Sequence, residues 1–287
     1  MTYYCQIQSQ LQISQPIHPI FEEPLGKLSI YENVKDRLLS IATRIPTLQA
    51  SANALLSQNY HTINHNALCE LIESAQYLDR GLQSWTKELP ATWTYTAIVY
   101  AMVLTPPPDH LSHIFFPHQV HRYLNHYIAN TWNMYRVYRI IVHSILCRLS
   151  FCSRSADGIR SSSARKARCL VTAICASVPF LLGYDIPSLK RLPLQSAQCT
   201  SRQAGEQLWP QSFLIPLKPG ESPRKSSLVW PLHVASSVGS VPSAQQRWMR
   251  AQLEWVANQG EPHLQSILNT ESQILQGGIE SFRFDCL

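Results

Sequence analysis

Apolar residues recur every three or four positions along several stretches of the sequence, which is the pattern of amphipathic helices. The most regular stretch runs from Leu68 to Pro90 and predicts a helix of about six turns. A second long stripe predicts a helix from about His118 to Leu149. Three arginines of this segment are expected on its exposed surface: Arg122, Arg136 and Arg139.

Shorter helices are indicated by start and stop signals. Ser29 with Glu32 and Ser243 with Gln246 have the spacing of capping boxes. Pro46 is expected to end the helix that begins near Ser29, and Pro179 to end or kink one that begins near Ala164. A last helix is predicted over residues 263–276. The expected fold class is all-α, an irregular multi-helix domain with a long proline-rich insertion.

The same pattern divides the chain into four parts. Residues 1–27 are polar, contain three prolines and are expected to form a loose lead-in. Residues 28–184 hold the first part of the helical domain. Residues 185–227 contain prolines that interrupt every helical period and predict a long irregular insertion. Residues 228–287 are expected to form C-terminal helices that pack on the same domain.

Composition places the chain among folded proteins. Of its 287 residues, 45% are hydrophobic and 15% are charged, which excludes a disordered or fibrous chain. The formal net charge is +6, and the positive excess falls in residues 101–225. Neutralising a nucleic-acid backbone takes one Lys or Arg per phosphate, so this excess is only a weak indication of nucleic-acid binding.

Enzyme and metal signatures are scarce. The sequence contains no GxGxxG, GxxxxGK[ST], GxSxG, HExxH or CxxC, and its aspartates stand singly. The eight cysteines are scattered through apolar surroundings, which favours thiols in a core and a reducing compartment over a zinc site. We therefore expect no cofactor, no metal site and no catalytic residue.

A band of histidines is the main alternative to that expectation. Imidazoles one helical turn apart can share a metal, although no carboxylate within the band would orient the rings. A helical ligand-binding protein or a metal-dependent enzyme of secondary metabolism thus stays open as a second hypothesis. The band comprises His110, His113, His118, His121 and His126.

A basic run in GIRSSSARKARC is a candidate nuclear-import or phosphate-binding patch. Its alternative is a solvated helix start, although cations at a helix N-terminus oppose the helix dipole. The run consists of Arg160, Arg165, Lys166 and Arg168.

Four stretches resemble the C-terminal regulatory part of fungal zinc-binuclear-cluster transcription factors. They are ELPATW at 88–93, YIANTWNMYRVYRIIVHSIL at 127–146, ICASVPFLLG at 174–183 and VWPLHVASSVGSVPSAQQRWMRAQLEWVANQGEP at 229–262. The most specific parts are a Trp-Asn-x-x-Arg helix and a Trp-Pro-Leu motif. The residues are Trp132, Asn133, Arg136, Trp230, Pro231 and Leu232.

The resemblance implies a nuclear, all-helical domain that governs dimerisation, effector response or activation of target genes, often those of a secondary-metabolite pathway. The six-cysteine DNA-binding cluster of that family has no counterpart in residues 1–30, which contain only Cys5. We therefore expect protein contacts, with a complete zinc-cluster factor or as a homodimer, and no sequence-specific DNA contact or membrane association. An inert fragment from an incorrectly assigned gene is a third hypothesis.

Overall fold

The computed structural model describes residues 7–8, 10–11, 14–16, 34–58, 63–99, 119–153, 157–183 and 225–258. This part of the chain is mostly helical, which confirms the predicted all-α class, and one small sheet accompanies the helices. The elements are α1 Val34–Ala42, α2 Arg44–Leu56, α3 His65–Lys87, β1 Thr96–Val99, β2 Gln119–Arg122, α4 His126–Phe151, α5 Asp157–Leu181, α6 Val229–Ser236 and α7 Ser243–Asn258, with 3₁₀ turns at Ala91–Trp93 and Lys225–Leu228.

Helix α3 follows its sequence pattern closely. The side chain of Asn64 accepts hydrogen bonds from the backbone amides of Asn66 and Ala67 and so caps its start. Its apolar stripe is buried, and the indole of Trp85 donates a 2.7 Å hydrogen bond to the Val34 carbonyl at the start of α1. The regular spacing of the stripe explains why this helix could be predicted from the sequence.

Helix α4 lies at the centre of the described core and contacts α1, α2, α3, α5 and α6. Arg136 is buried and the side chain of Arg139 is only 12% exposed, so the prediction that both lie on its surface is wrong. Arg122 is exposed as expected. Two residues of the predicted stripe lie instead in solvent, Leu124 at 68% and Tyr127 at 47% exposure.

The predicted start of this helix is also wrong, because residues near His118 form a strand. Strands β1 and β2 pair antiparallel, with Ala97 opposite His121 and Ile98 opposite Val120. The helix begins only at His126, where the side chain of Asn125 accepts a hydrogen bond from the Ile128 amide. A strand of four residues has too few alternating positions to stand out from a helical stripe.

The two prolines predicted at helix ends lie inside helices, and the helix predicted to stop at Pro46, α1, already ends at Ala42. Pro46 is the third residue of α2, and proline is tolerated in a first turn because its missing amide hydrogen would have no helical partner there. Pro179 lies inside α5, two residues before its end. The capping-box pair Ser29 and Glu32 lies outside the described residues.

Helix α5 begins at Asp157, seven residues earlier than predicted. Asp157 places a negative charge in the first turn, where it complements the helix dipole. The composition of the serine-rich segment that follows is typical of a loop, but the segment forms the first turns of α5, the helix that pairs most extensively with α4 in the described fold. Tertiary packing therefore overrides the weak helix propensity of these residues.

The C-terminal helices contact the same core. Helix α6 is buried along its whole length and packs on α4, α5 and α7. Helix α7 begins at Ser243 as predicted. Of the predicted proline-rich insertion 185–227, residues 185–224 lie outside the described residues, as does the predicted helix 263–276.

Part of the predicted lead-in also touches the domain. Ile7 and Leu11 are fully buried, and the side-chain amide of Gln49 on α2 donates to Ser14 Oγ at 3.0 Å.

No helix among the described ranges is both long and apolar enough to cross a lipid bilayer.

Candidate functional site

The Trp-Asn-x-x-Arg motif forms a buried polar cluster where α4 meets β2 and α5. Arg136 is 1% exposed; its Nη1 donates to Asn133 Oδ1 at 2.8 Å and its Nη2 to His121 Nδ1 at 3.2 Å. The Asn133 amide donates to Ser177 Oγ at 2.9 Å on α5. These bonds join two helices and the sheet through one guanidinium.

Aromatic rings surround that guanidinium. Its central carbon lies 5.1 Å from the ring centre of Tyr95, 5.6 Å from that of Trp132 and 5.8 Å from that of Tyr123. Within the described ranges no carboxylate lies within salt-bridge distance of Arg136. Its charge is therefore stabilised by ring faces and neutral acceptors.

Trp132 is half-buried and ties α4 to the segment before β1. Its indole Nε1 donates to the Trp93 carbonyl at 2.8 Å, and its ring meets those of Trp85, Tyr95 and Tyr135 edge to face. Trp132 therefore packs against the core without being fully buried. All three residues of the motif lie in one aromatic and polar cluster.

The Trp-Pro-Leu motif lies elsewhere in the same core. Trp230, Pro231 and Leu232 occupy the first turn of α6, and all three are buried. Pro231 again uses a first-turn position that proline tolerates. The structure therefore places the motif residues in the interior of the domain, apart from the half-buried Trp132.

The histidine band is only partly described, because His110, His113 and His118 lie outside the described residues. His121 is fully buried and contacts the Gln119 amide through one ring nitrogen and Arg136 through the other. Burial and the neighbouring Arg136 lower the pKa of His121 to about 3. The ring of His126 packs on Phe180 at 5.2 Å.

Metal-ligand geometry is absent from the described residues, where no three His, Cys, Asp or Glu side chains are placed to hold an ion. The five described cysteines are free thiols. Cys147 and Cys175 are buried, as expected, and burial raises their pKa to about 11 and about 12. Cys69 and Cys169 are exposed, so the core expectation is wrong for them.

A second polar cluster, centred on Asp79 of α3, has no counterpart among the sequence predictions. Asp79 Oδ1 accepts from Arg139 Nε at 2.7 Å and lies 3.3 Å from His143 Nε2, both on α4. Asp79 Oδ2 accepts from Gln83 at 2.6 Å and from Lys166 of α5 at 3.4 Å. One carboxylate thus connects three helices.

Electrostatics around Asp79 favour its ionised form. Burial raises the pKa of Asp79, but hydrogen bonds and charge interactions with His143 and Arg139 outweigh burial and hold it well below the usual value. Burial lowers the pKa of His143, although Asp79 opposes the change. The sequence contains a signal for the burial of Asp79, because this residue stands seven residues after Ile72 and four after Ala75 on the apolar stripe of α3.

Above this cluster, α3 and α5 enclose a polar groove of about 440 Å³ with Leu146 of α4 among its walls. The α3 side contributes residues at helical spacing from Gln76 to Gln83, and the α5 side contributes residues from Gly158 to Lys166. The full lining of the groove is Gln76, Asp79, Arg80, Gln83, Leu146, Gly158, Ile159, Ser162, Ser163 and Lys166.

The predicted basic patch is divided by the structure. Arg165 and Arg168 are exposed on α5, whereas Arg160 pairs with Asp157 at 2.9 Å and Lys166 reaches Asp79. Because α5 begins at Asp157, Arg165, Lys166 and Arg168 lie beyond its first turn, while Arg160 stands near the helix N-terminus and is paired with Asp157. The patch as an import signal stays a prediction.

The described fold is thus an all-α domain with its motif residues in the core and one open polar groove. By sequence the chain is similar to "Transcription factor dbaG" of Emericella nidulans, with 28% identity over 219 residues, or 76% of this chain. The chain spans 47% of that protein's length. No family model matches, and no solved structure matches. The similarity marks the chain as related to a fungal transcription factor.

Proposed function

We propose that this chain is a regulatory region of a fungal transcription regulator that acts through protein contacts, without catalysis. The observation that carries the proposal is the similarity to a transcription factor over three quarters of the chain. The all-α fold agrees with that role. The motif residues around Arg136 act as structural ties, since their polar groups bond to one another within the core.

A tethering experiment tests regulation by protein contact. The chain is fused to an unrelated DNA-binding domain and expressed in a fungal host with a matching reporter gene. We expect the fusion to change reporter expression at least threefold, and an Arg136→Ala fusion to lose the effect because the domain core is disrupted. An unchanged reporter, with the fusion present at normal level, would contradict the proposal.

Sequence-specific DNA binding by the chain itself is not part of this proposal. The sequence contains no CxxC pair that could begin a zinc cluster, so the isolated chain is expected to give no sequence-specific gel shift at physiological salt. Partners fitting the proposal are a complete zinc-cluster factor or a second copy of the chain. Sedimentation of the purified chain, alone and with such a factor, distinguishes the two.

Nuclear location and control of secondary-metabolite genes belong to the proposal through the family resemblance. For the first, alanine at Arg160, Arg165, Lys166 and Arg168 should reduce nuclear accumulation of a tagged chain. Alanine at the exposed Arg122 and Arg247 is the matched control. For the second, deletion of the gene should change transcripts of a biosynthetic gene cluster.

A further inference from the structure

The groove between α3 and α5 has walls that carry positive charge without matching negative charge. Arg80 is exposed and forms no ion pair with any described residue, and Lys166 is 43% exposed at its side chain. Asp79 is the acidic member of the lining, and Arg139 pairs with it from behind. The groove therefore has a net positive field.

Asp79 in the groove is not free to accept hydrogen bonds from an incoming ligand. Both oxygens of Asp79 already contact two protein groups each, so this carboxylate has little remaining capacity as an acceptor. Lys166 is different, because an ammonium has three donors and only one points at Asp79. The lysine can therefore bind a second anionic group on the groove side.

The α5 wall adds neutral donors. Ser162 and Ser163 supply hydroxyls, and Gly158 and Ile159 belong to the first turn, the positive end of the helix dipole. A Cβ added at Gly158 would meet no atom within 4 Å, so the backbone there borders open space. Across the groove, the amides of Gln76 and Gln83 offer both donors and acceptors.

We infer that this groove binds a small polar molecule carrying a carboxylate or phosphate group. Lys166 and Arg80 hold the anionic group, and the serine hydroxyls and glutamine amides bind hydroxyl groups of the remainder. A volume of about 440 Å³ is within the usual range for small-molecule sites. Its polar walls select a hydroxyl-rich compound over an apolar one. The site is independent of the transcriptional role proposed above.

Three probes of similar size distinguish a phosphate ligand from a carboxylate ligand and from a neutral one: glucose 6-phosphate, gluconate and glucose. Each is titrated into the full purified chain by calorimetry. We expect at least one of the two anions to bind ten times more tightly than neutral glucose. Binding of the phosphate alone or of the carboxylate alone identifies the group that is preferred, and each result supports the site. No binding of either anion up to about 10 mM overturns the proposal.

Variants locate the binding in the groove. The double variant Arg80→Met, Lys166→Met keeps both aliphatic stems and should weaken anion binding at least tenfold. Ser162→Asp adds a negative charge to the same wall without disturbing Asp79 and should have a similar effect. The matched control is Arg168→Met, which removes an exposed cation of α5 outside the groove. Unchanged affinity in both groove variants, when circular dichroism shows native helix content, overturns the proposal.

Discussion

Arg136 illustrates how a single charged residue can organise a helical core. Its planar guanidinium meets acceptors on α4 and β2 while its faces lie against three aromatic rings. An ammonium group has neither the fork geometry nor the flat face needed for both kinds of contact. The residue type, and not its charge alone, is therefore required here.

The variant Arg136→Lys tests this requirement. It should lower the free energy of unfolding by about 2–4 kcal/mol, because acceptors in the core lose their partner. Urea denaturation measures the change. Arg165→Lys, at an exposed position of the neighbouring helix, is the control and should change stability by less than about 0.5 kcal/mol. Equal stability of both variants would show that the charge alone is enough.

Sequence patterns reveal polar core residues only where they interrupt an apolar stripe. Asp79 does so on α3, and a carboxylate at that position of the stripe indicates a buried ion pair. Arg136 and Arg139 could not be assigned in this way. Helix α4 is buried on nearly all sides, so its sequence has no clear polar face from which to recognise a buried arginine.

At the level of whole elements, the ends of helices are set by local hydrogen bonds that the apolar pattern does not encode. The stripe of α4 continues upstream into β2, yet the helix begins at His126 because Asn125 caps it. Conversely, α5 extends upstream past serines and a glycine because α4 covers it. Helix identity was thus predictable from periodicity, but the boundaries depended on caps and on tertiary packing.

The cap of α4 can be tested with two substitutions at one position. Asn125→Ala removes the acceptor for the Ile128 amide and should lower the free energy of unfolding by about 1 kcal/mol. Asn125→Asp retains an acceptor and adds a charge favourable to the helix dipole, so it should leave stability within about 0.5 kcal/mol of the native value. Thermal denaturation of the two variants makes the comparison. Similar losses in both would rule out capping as the cause.

Considered as a whole molecule, the domain keeps several titratable groups buried, and their pKa values make its stability depend on pH. Burial lowers the pKa of His121, His143 and His233, although Asp79 opposes the change at His143. Each histidine is then neutral in the folded chain and takes up a proton more readily when unfolded. Their contribution is fully present above about pH 6.5, the unfolded value, and is lost as the pH falls.

We therefore expect the melting temperature to fall continuously from about pH 6.5 to pH 4.5. Asp79, whose pKa is lowered in the fold, adds a further loss only below about pH 4, where unfolded aspartate becomes protonated. Calorimetry from above pH 6.5 to below pH 4 measures both the upper phase, due to the histidines, and the lower phase, due to Asp79. His121→Gln should reduce the slope of the upper phase. A melting temperature that is level or rises between pH 6.5 and pH 4.5 would contradict the assignment.

The reactivity of the two buried thiols can report how often this domain opens. Cys147 Sγ contacts the Arg160 carbonyl across the α4–α5 contact, and Cys175 Sγ accepts from Gln245 of α7. Since only a thiolate reacts with an alkylating reagent, both are protected twice, by packing and by their raised pKa. Cys69 and Cys169 should be labelled at once in the native protein. The much later labelling of Cys147 and Cys175, resolved by peptide mass spectrometry, then measures how often α4, α5 and α7 come apart.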